Sequence, residues 1–220
     1  MRIIRTIVAA IALIICGNFA IAQNNITSRL PADSAFRTGK LENGLTYYIR
    51  KAANPAGRAE FFIVHNVGSL QEEDNQRGLA HFLEHMAFNG TKNFPGKKLL
   101  NYFGSIGVKF GANINAYTSM ERTVYNISAV PVQREVVLDS ALLALHDWSH
   151  YISCEPAEIE AERGVVREEW RRGDDARTRM NKGIMKFQQT GSRFAERDVI
   201  GLPEIINTFS RQTLIDYYHK

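Results

Sequence analysis

From Leu45 onward, apolar and polar positions follow regular periods that switch several times along the chain. Leu45 to Lys51 and Ala59 to Asn66 are rich in β-branched and aromatic residues and flank Asn54-Pro55-Ala56-Gly57. This pattern predicts two strands joined by a loop. A polar, turn-rich stretch from Gly68 to Arg77 leads into helical spacing from Gly78 to Phe88, closed by Asn89-Gly90. Pro95 opens a second helix that ends near Gly104 or Gly107, since proline suits a first turn and glycine the position past a last one. Gly111 to Ser119 and Arg122 to Ala129 read as strands whose tight connection makes a hairpin. Val137, Leu138, Leu142, Leu145, Trp148 and Ile152 then recur at helical spacing, predicting a long amphipathic helix from Pro131 to Tyr151. Another helix follows Pro156. With no internal repeat, low-complexity tract or linker, this order predicts one α+β domain: a mostly antiparallel β-sheet with helices packed on it.

The N-terminal segment obeys a different pattern. Met1 to Ala22 carries Arg2 and Arg5, then the apolar run Ile7 to Ile15, then Ala20-Ile21-Ala22, which predicts a cleaved signal peptide. An uncleaved membrane anchor is the competing reading, but the apolar run is short for a bilayer. Ile15 stands where lipidation of Cys16 would call for a small residue. On this reading 1–22 is the signal, 23–40 a lead-in and 41–220 the domain, exported to the periplasm or, alternatively, secreted, with no membrane anchor after cleavage. Cys154 is then the only cysteine, so no internal disulfide forms and core packing must supply the stability. The formal charge falls from +4 to +2 when the two arginines leave. Basic residues are scattered as short pairs without an aromatic stripe, which argues against a nucleic-acid partner. At 45% hydrophobic and 23% charged, the 220 residues suit one substantial core or two small ones.

The chemistry is concentrated in His81-Phe82-Leu83-Glu84-His85. On a helix, positions four apart share a face, so both imidazoles can meet one ion while Glu84 borders the same patch. The acid stands beside the second histidine, the inverted metalloprotease order. Two histidines hold zinc poorly, and a catalytic site usually needs three protein ligands. Glu162 lies inside the apolar stripe of Ile159, Val166 and Trp170, where a buried carboxylate demands an arginine or a metal. Glu155, one heptad earlier, could orient a ligand or simply favour the helix N-terminus electrostatically. His146 and His150 share the spacing but lack a third ligand and read as structural. Glu158, Glu160, Glu168 and Glu169 read as a solvated face. The glycosylation patterns at Asn25, Asn89 and Asn126 read as coincidental.

Three blocks in order resemble the pitrilysin/insulinase family of zinc peptidases, the inverzincins. They are His81 to Thr91 (HFLEHMAFNGT), Gly111 to Tyr125 (GANINAYTSMERTVY) and Glu162 to Glu169 (ERGVVREE). The resemblance covers Leu41 to Lys220 and implies a metallohydrolase domain like those of mitochondrial processing peptidase and pitrilysin. It implies that His81, His85 and Glu162 bind one zinc ion and that Glu84 is the general base. Asn115 and Ala116 would pair with substrate backbone as an added strand, the substrate being a peptide or unfolded protein. The best single analogy is a periplasmic bacterial zinc protease. Family members build their chamber from two homologous halves or paired subunits, so the chain is expected to be the N-terminal catalytic domain of a longer enzyme. Its expected partner is a homologous C-terminal half or a partner subunit. The alternative is a catalytically incomplete or silent partner domain of the same fold.

Signal cleavage is directly measurable. Amino-terminal sequencing of the exported chain is expected to begin at or next to Gln23; a chain that retains Met1 would make the segment an anchor.

Overall fold

The computed structural model describes residues 33–220, so the signal-peptide and Asn25 readings lie outside the described residues. The described residues fall into two compact units, one ending at Ala53 and the other spanning Asn54–Lys220. In the first, β1 (Phe36–Lys40) pairs antiparallel with β2 (Thr46–Arg50), Phe36 opposite Arg50 and Lys40 opposite Thr46. The Asn43 side chain accepts from the Leu45 amide, and Gly44 supplies the positive φ that this tight turn needs. β1 thus falls within the segment expected as a lead-in.

The second unit is built on a three-stranded antiparallel sheet ordered β3-β5-β4, comprising β3 (Arg58–His65), β4 (Ile114–Thr118) and β5 (Thr123–Pro131). The β4-β5 hairpin matches the predicted one, with Ala116 opposite Tyr125 and Thr118 opposite Thr123. β4 is left as an edge. Four helices follow the predicted pattern: α1 (Leu79–Met86), α2 (Lys98–Ser105), α3 (Glu135–His150) and α4 (Pro156–Gly173). α5 (Ala176–Gln188), α6 (Pro203–Thr208) and α7 (Arg211–Tyr218) were not read from the sequence. Met180, Ile184 and Phe187 recur at helical spacing in α5 but stand exposed instead of joining the core, and α6 and α7 bury only Ile206 and the pair Leu214 and Tyr217.

α3 packs across β3 and β5, while α1 is enclosed by β4, α4 and α7. The core joins Leu79, Phe82 and Met86 of α1 to Tyr125 and Ile127 of β5 and to Ala141, Ala144 and Trp148 of α3. Trp148 stacks on Tyr125 at 5.3 Å between ring centroids and donates its Nε1 hydrogen to the Ala87 carbonyl at 3.0 Å. Its neighbour Asp147 is fully buried yet satisfied, accepting from Thr91 Oγ1 (2.7 Å), Asn93 N (2.8 Å) and Asn93 Nδ2 (2.7 Å). These bonds fasten the loop after α1 to α3. His146 and His150 go elsewhere: His146 stacks on Tyr151 and His150 meets His219 edge-on.

The start of α1 is held by a close backbone approach. Gly78 has φ +101°, and Gly201, at φ +73°, lies so near that an added Cβ would sit 2.3 Å from the Gly78 Cα and 2.5 Å from the Arg77 carbonyl oxygen. Gly201→Ala is expected to lower unfolding stability by about 2 kcal/mol or more in a denaturant titration, from backbone strain plus displacement of α1. A loss below about 0.5 kcal/mol would show that the 198–202 loop moves aside freely.

Candidate metal centre

α1 is a helix buried almost all round, and the histidines and Glu84 stand on it as polar exceptions. Its first amides, which have no intrahelical acceptors, are met by Glu72. Glu72 Oε2 accepts from Gly78 N at 3.0 Å and Oε1 from Ala80 N at 2.8 Å, while Arg197 Nε donates to the Glu72 carbonyl at 3.2 Å. Burial raises the Glu72 carboxyl to about 7, against the opposing pull of these bonds and of Arg197 and Arg77.

One turn further on, the two imidazoles converge. His81 Nε2 and His85 Nε2 are 3.2 Å apart, with rings crossed at 80°. Two nitrogens bound to one tetrahedral zinc at about 2.0–2.1 Å stand about 3.3 Å apart, so the pair suits a single ion. Burial, then the neighbouring His85 charge, holds His81 down at about 4, which keeps its lone pair available. Burial also acts to lower His85, but the hydrogen bond to Glu162 and the charges of Glu162, Glu84 and Glu169 outweigh it and raise its pKa.

Two carboxylates from α4 reach these rings. Glu162 Oε1 is 2.8 Å from His85 Nδ1, and its other oxygen accepts from Asn89 Nδ2 at 2.6 Å. The bond to His85, opposed by burial and assisted by Asn89, keeps Glu162 below the ordinary glutamate value. Glu169, one heptad later, places Oε2 3.6 Å from His81 Nε2 and 3.5 Å from His85 Nε2. His81, His85 and Glu169 form a group able to hold a metal ion. The donor set of two imidazoles and a carboxylate fits zinc. Glu84 takes no part in that set. Its Oε2 accepts from Thr118 Oγ1 at 2.6 Å, and burial raises its pKa while this bond pulls the other way.

Two cavities meet at the centre, sharing Glu84, His85 and Ala116. A cavity of about 510 Å³ is lined by His81, Glu84, Tyr117, Trp170, Lys182 and Ile200, among others. A second, of about 260 Å³, includes Glu84, Phe88, Lys97, Phe110, Asn115 and Glu162.

A family model described as insulinase (peptidase family M16) matches residues 48–197. The chain belongs to the insulinase family, peptidase family M16. This M16 chain is 38% identical over 209 residues to the probable zinc protease PqqL of Haemophilus influenzae, covering 95% of the chain and 22% of that relative. It resembles the crystal structure of the periplasmic protease PqqL from Escherichia coli with TM-score 0.81 and 40% identity, covering 87% of the chain and 21% of that structure. Against the first half of the same protease the figures are again TM-score 0.81 and 40%, with 41% of that half covered. The M16 chain therefore spans about a fifth of the length of these relatives. The α+β pitrilysin-like fold expected from the sequence agrees with these structural neighbours.

Among the residues singled out from the M16 sequence, His81, Glu84, His85 and Glu162 are brought together, and Asn115 and Ala116 lie on β4 at the cavity walls. Glu155 stands at the N-cap of α4, exposed and making no side-chain capping bond, a position where its charge faces the helix N-terminus. Glu169 was read as part of a solvated face, and its side chain is indeed 52% exposed, but it also reaches both histidines. Its position on the same helical face, one heptad beyond Glu162, was the available signal. Thr118 and Glu72 carried no sequence signal, because their roles arise from contacts across the fold. The Asn89 glycosylation pattern lies on a buried residue and the Asn126 pattern in the central strand, in keeping with coincidence.

Glu72 generates a pH test. Its folded value of about 7 exceeds the ordinary 4.5, so between these pH values the folded chain holds more protons than the unfolded one. Its contribution to stability is therefore fully present below 4.5 and is lost as pH rises to about 7, a decline of about 3 kcal/mol. Glu72→Gln is expected to flatten that decline in denaturant titrations of the metal-free chain across this range. An unchanged slope would assign the titration to another group.

Proposed function

We propose that this chain is the zinc-bearing N-terminal domain of an exported endopeptidase that cleaves peptides or unfolded polypeptides. The observation that carries the reading is the convergence of two imidazole Nε2 atoms at 3.2 Å beside a buried glutamate that is held by Thr118. One zinc per chain would be held by His81, His85 and Glu162, and when bound it would supply Lewis acidity and a water of lowered pKa.

The chain's own groups do the rest. Glu84, made more basic by burial and oriented by Thr118, takes a proton from the attacking water and returns it to the leaving amine. Asn115 and Ala116, on the open edge of the sheet, pair with an extended substrate backbone, so that successive side chains fall to alternate sides, toward the two cavities. Glu155, on the helical face of Glu162, is assigned a supporting role from behind the ligands. Glu162 is favoured as third ligand because it is shielded and braced by Asn89, whereas Glu169 is half exposed; to reach an ion between the Nε2 atoms the Glu162 carboxylate would leave His85 Nδ1. The distances from Glu169 to both Nε2 atoms favour a second reading, in which Glu169 ligates and Glu162 orients His85 through Nδ1.

Because the chain spans about a fifth of its relatives, efficient cleavage is assigned to its assembly with a homologous C-terminal half or partner subunit. Periplasmic placement rests on the signal-like N-terminus and on the periplasmic PqqL relative. No helix of the described residues is long and apolar enough to cross a membrane.

Zinc content and cleavage of a quenched, unstructured peptide, with the remaining part of the longer protein supplied in trans, test this reading. Glu84→Gln is expected to keep one zinc per chain and lose cleavage by about 10²–10⁴-fold. Glu162→Gln is expected to weaken zinc binding far more than Glu169→Gln; the reverse order would establish the second reading. No bound zinc under replete conditions would overturn the enzymatic assignment.

A further inference from the structure

The Glu162 carboxylate does not meet His85 unaided. Asn89, 5% exposed at the end of α1, donates from Nδ2 to Glu162 Oε2, while its Oδ1 accepts from the Lys97 ammonium. Lysine can only donate, so Lys97 turns the amide oxygen toward itself and leaves Nδ2 facing the carboxylate. Glu162, thus held at one oxygen, presents the other to His85 Nδ1 at 2.8 Å. Lys97 also places a positive charge near Glu162 without touching it.

The backbone delivers Lys97 to this position. Thr91 N donates to the Phe94 carbonyl at 3.0 Å, and Gly90 packs against Gly96 so closely that an added Cβ would lie 2.9 Å from the Gly96 amide. Asp147 anchors the same loop through Thr91 and Asn93. The loop between α1 and α2 therefore folds back over the end of α1 and sets Lys97 above Asn89. Neither residue touches the facing Nε2 atoms, and neither is accounted for by the catalytic steps.

We propose that Lys97 and Asn89 are positioning residues, a two-member brace that fixes the orientation of the Glu162 carboxylate and so sets the affinity of the centre for zinc. The inference rests on reading Glu162 as a carboxylate of the metal site. A plain loop staple would use the same Lys97–Asn89 bond, but breaking it would loosen the loop without changing metal affinity.

The test is zinc affinity by competition with a chromogenic chelator, alongside the melting temperature of the metal-free chain. Asn89→Leu is expected to weaken zinc binding by about ten- to a hundredfold, the usual effect of losing a hydrogen bond behind a ligand. Lys97→Met, at an exposed position that tolerates change, is expected to weaken it severalfold at unchanged metal-free melting temperature, with Lys97→Arg restoring most of the loss. The brace is overturned if Asn89→Leu and Lys97→Met both stay within about twofold of the native affinity while Glu162→Gln weakens it, since second-sphere loss should cost more. If Glu162→Gln also leaves affinity intact, the fault lies with the ligand reading.

Discussion

The constraint on which the second unit depends is the cost of burying polar groups on α1. This helix packs on the sheet, α4 and α7, yet it carries two imidazoles, a carboxylate and, at its start, amides with no intrahelical acceptor. In a low-dielectric setting a group without a partner destabilises the fold by an amount on the order of kcal/mol, and apart from His81 Nδ1 the groups on α1 named here are met. The partners come from four different parts of the chain. Glu72 meets the first amides, Thr118 of β4 meets Glu84, Glu162 of α4 meets His85, and Trp148 of α3 meets the Ala87 carbonyl. The core can close only when these elements arrive together, and their arrival is also what assembles the site.

The same accounting separates the roles of chemically similar residues. Glu84 and Glu162 are both shielded glutamates within reach of His85, but burial dominates Glu84 and raises its pKa, whereas hydrogen bonding dominates Glu162 and lowers it. A carboxylate that binds protons more readily suits a base that must accept and return one. A carboxylate held ionised by several donors suits charge pairing with a cation. His81 and His85 are likewise pushed apart, one kept neutral by burial and the other drawn toward its carboxylate neighbours. Environment rather than residue type assigns the functions.

Rigidity around the centre is distributed between backbone and side chains. The glycine pair Gly78 and Gly201 lets the 198–202 loop lie directly against the start of α1, an approach that side chains would block. At the other end, Asp147 and the fold-back near Gly90 and Gly96 hold the exit loop. β4 stays open at its outer edge, which in an antiparallel sheet is a ready surface for another extended chain.

The main elements and the facing of the two α1 histidines were legible in the sequence because they are local. Periodicity exposes α3 and the β4-β5 hairpin directly, and the spacing of His81 and His85 places them on one helical face whatever surrounds the helix. Glu162 stood out for a related reason: a carboxylate set in an apolar stripe needs a partner, and the structure supplies His85 and Asn89. The C-terminal helices were not read: α5 carries Met180, Ile184 and Phe187 at helical spacing but buries none of them, and α6 and α7 bury only one and two residues. Nor were the partners of each group. That Thr118 would face Glu84, that Glu162 would meet His85 through Nδ1, and that Glu169 would approach both Nε2 atoms are outcomes of packing. Sequence alone determined which side chains share a face of a helix, because helical geometry is local; only the tertiary structure decided which atoms meet across elements, because those distances depend on how α1, α4 and β4 close on one core.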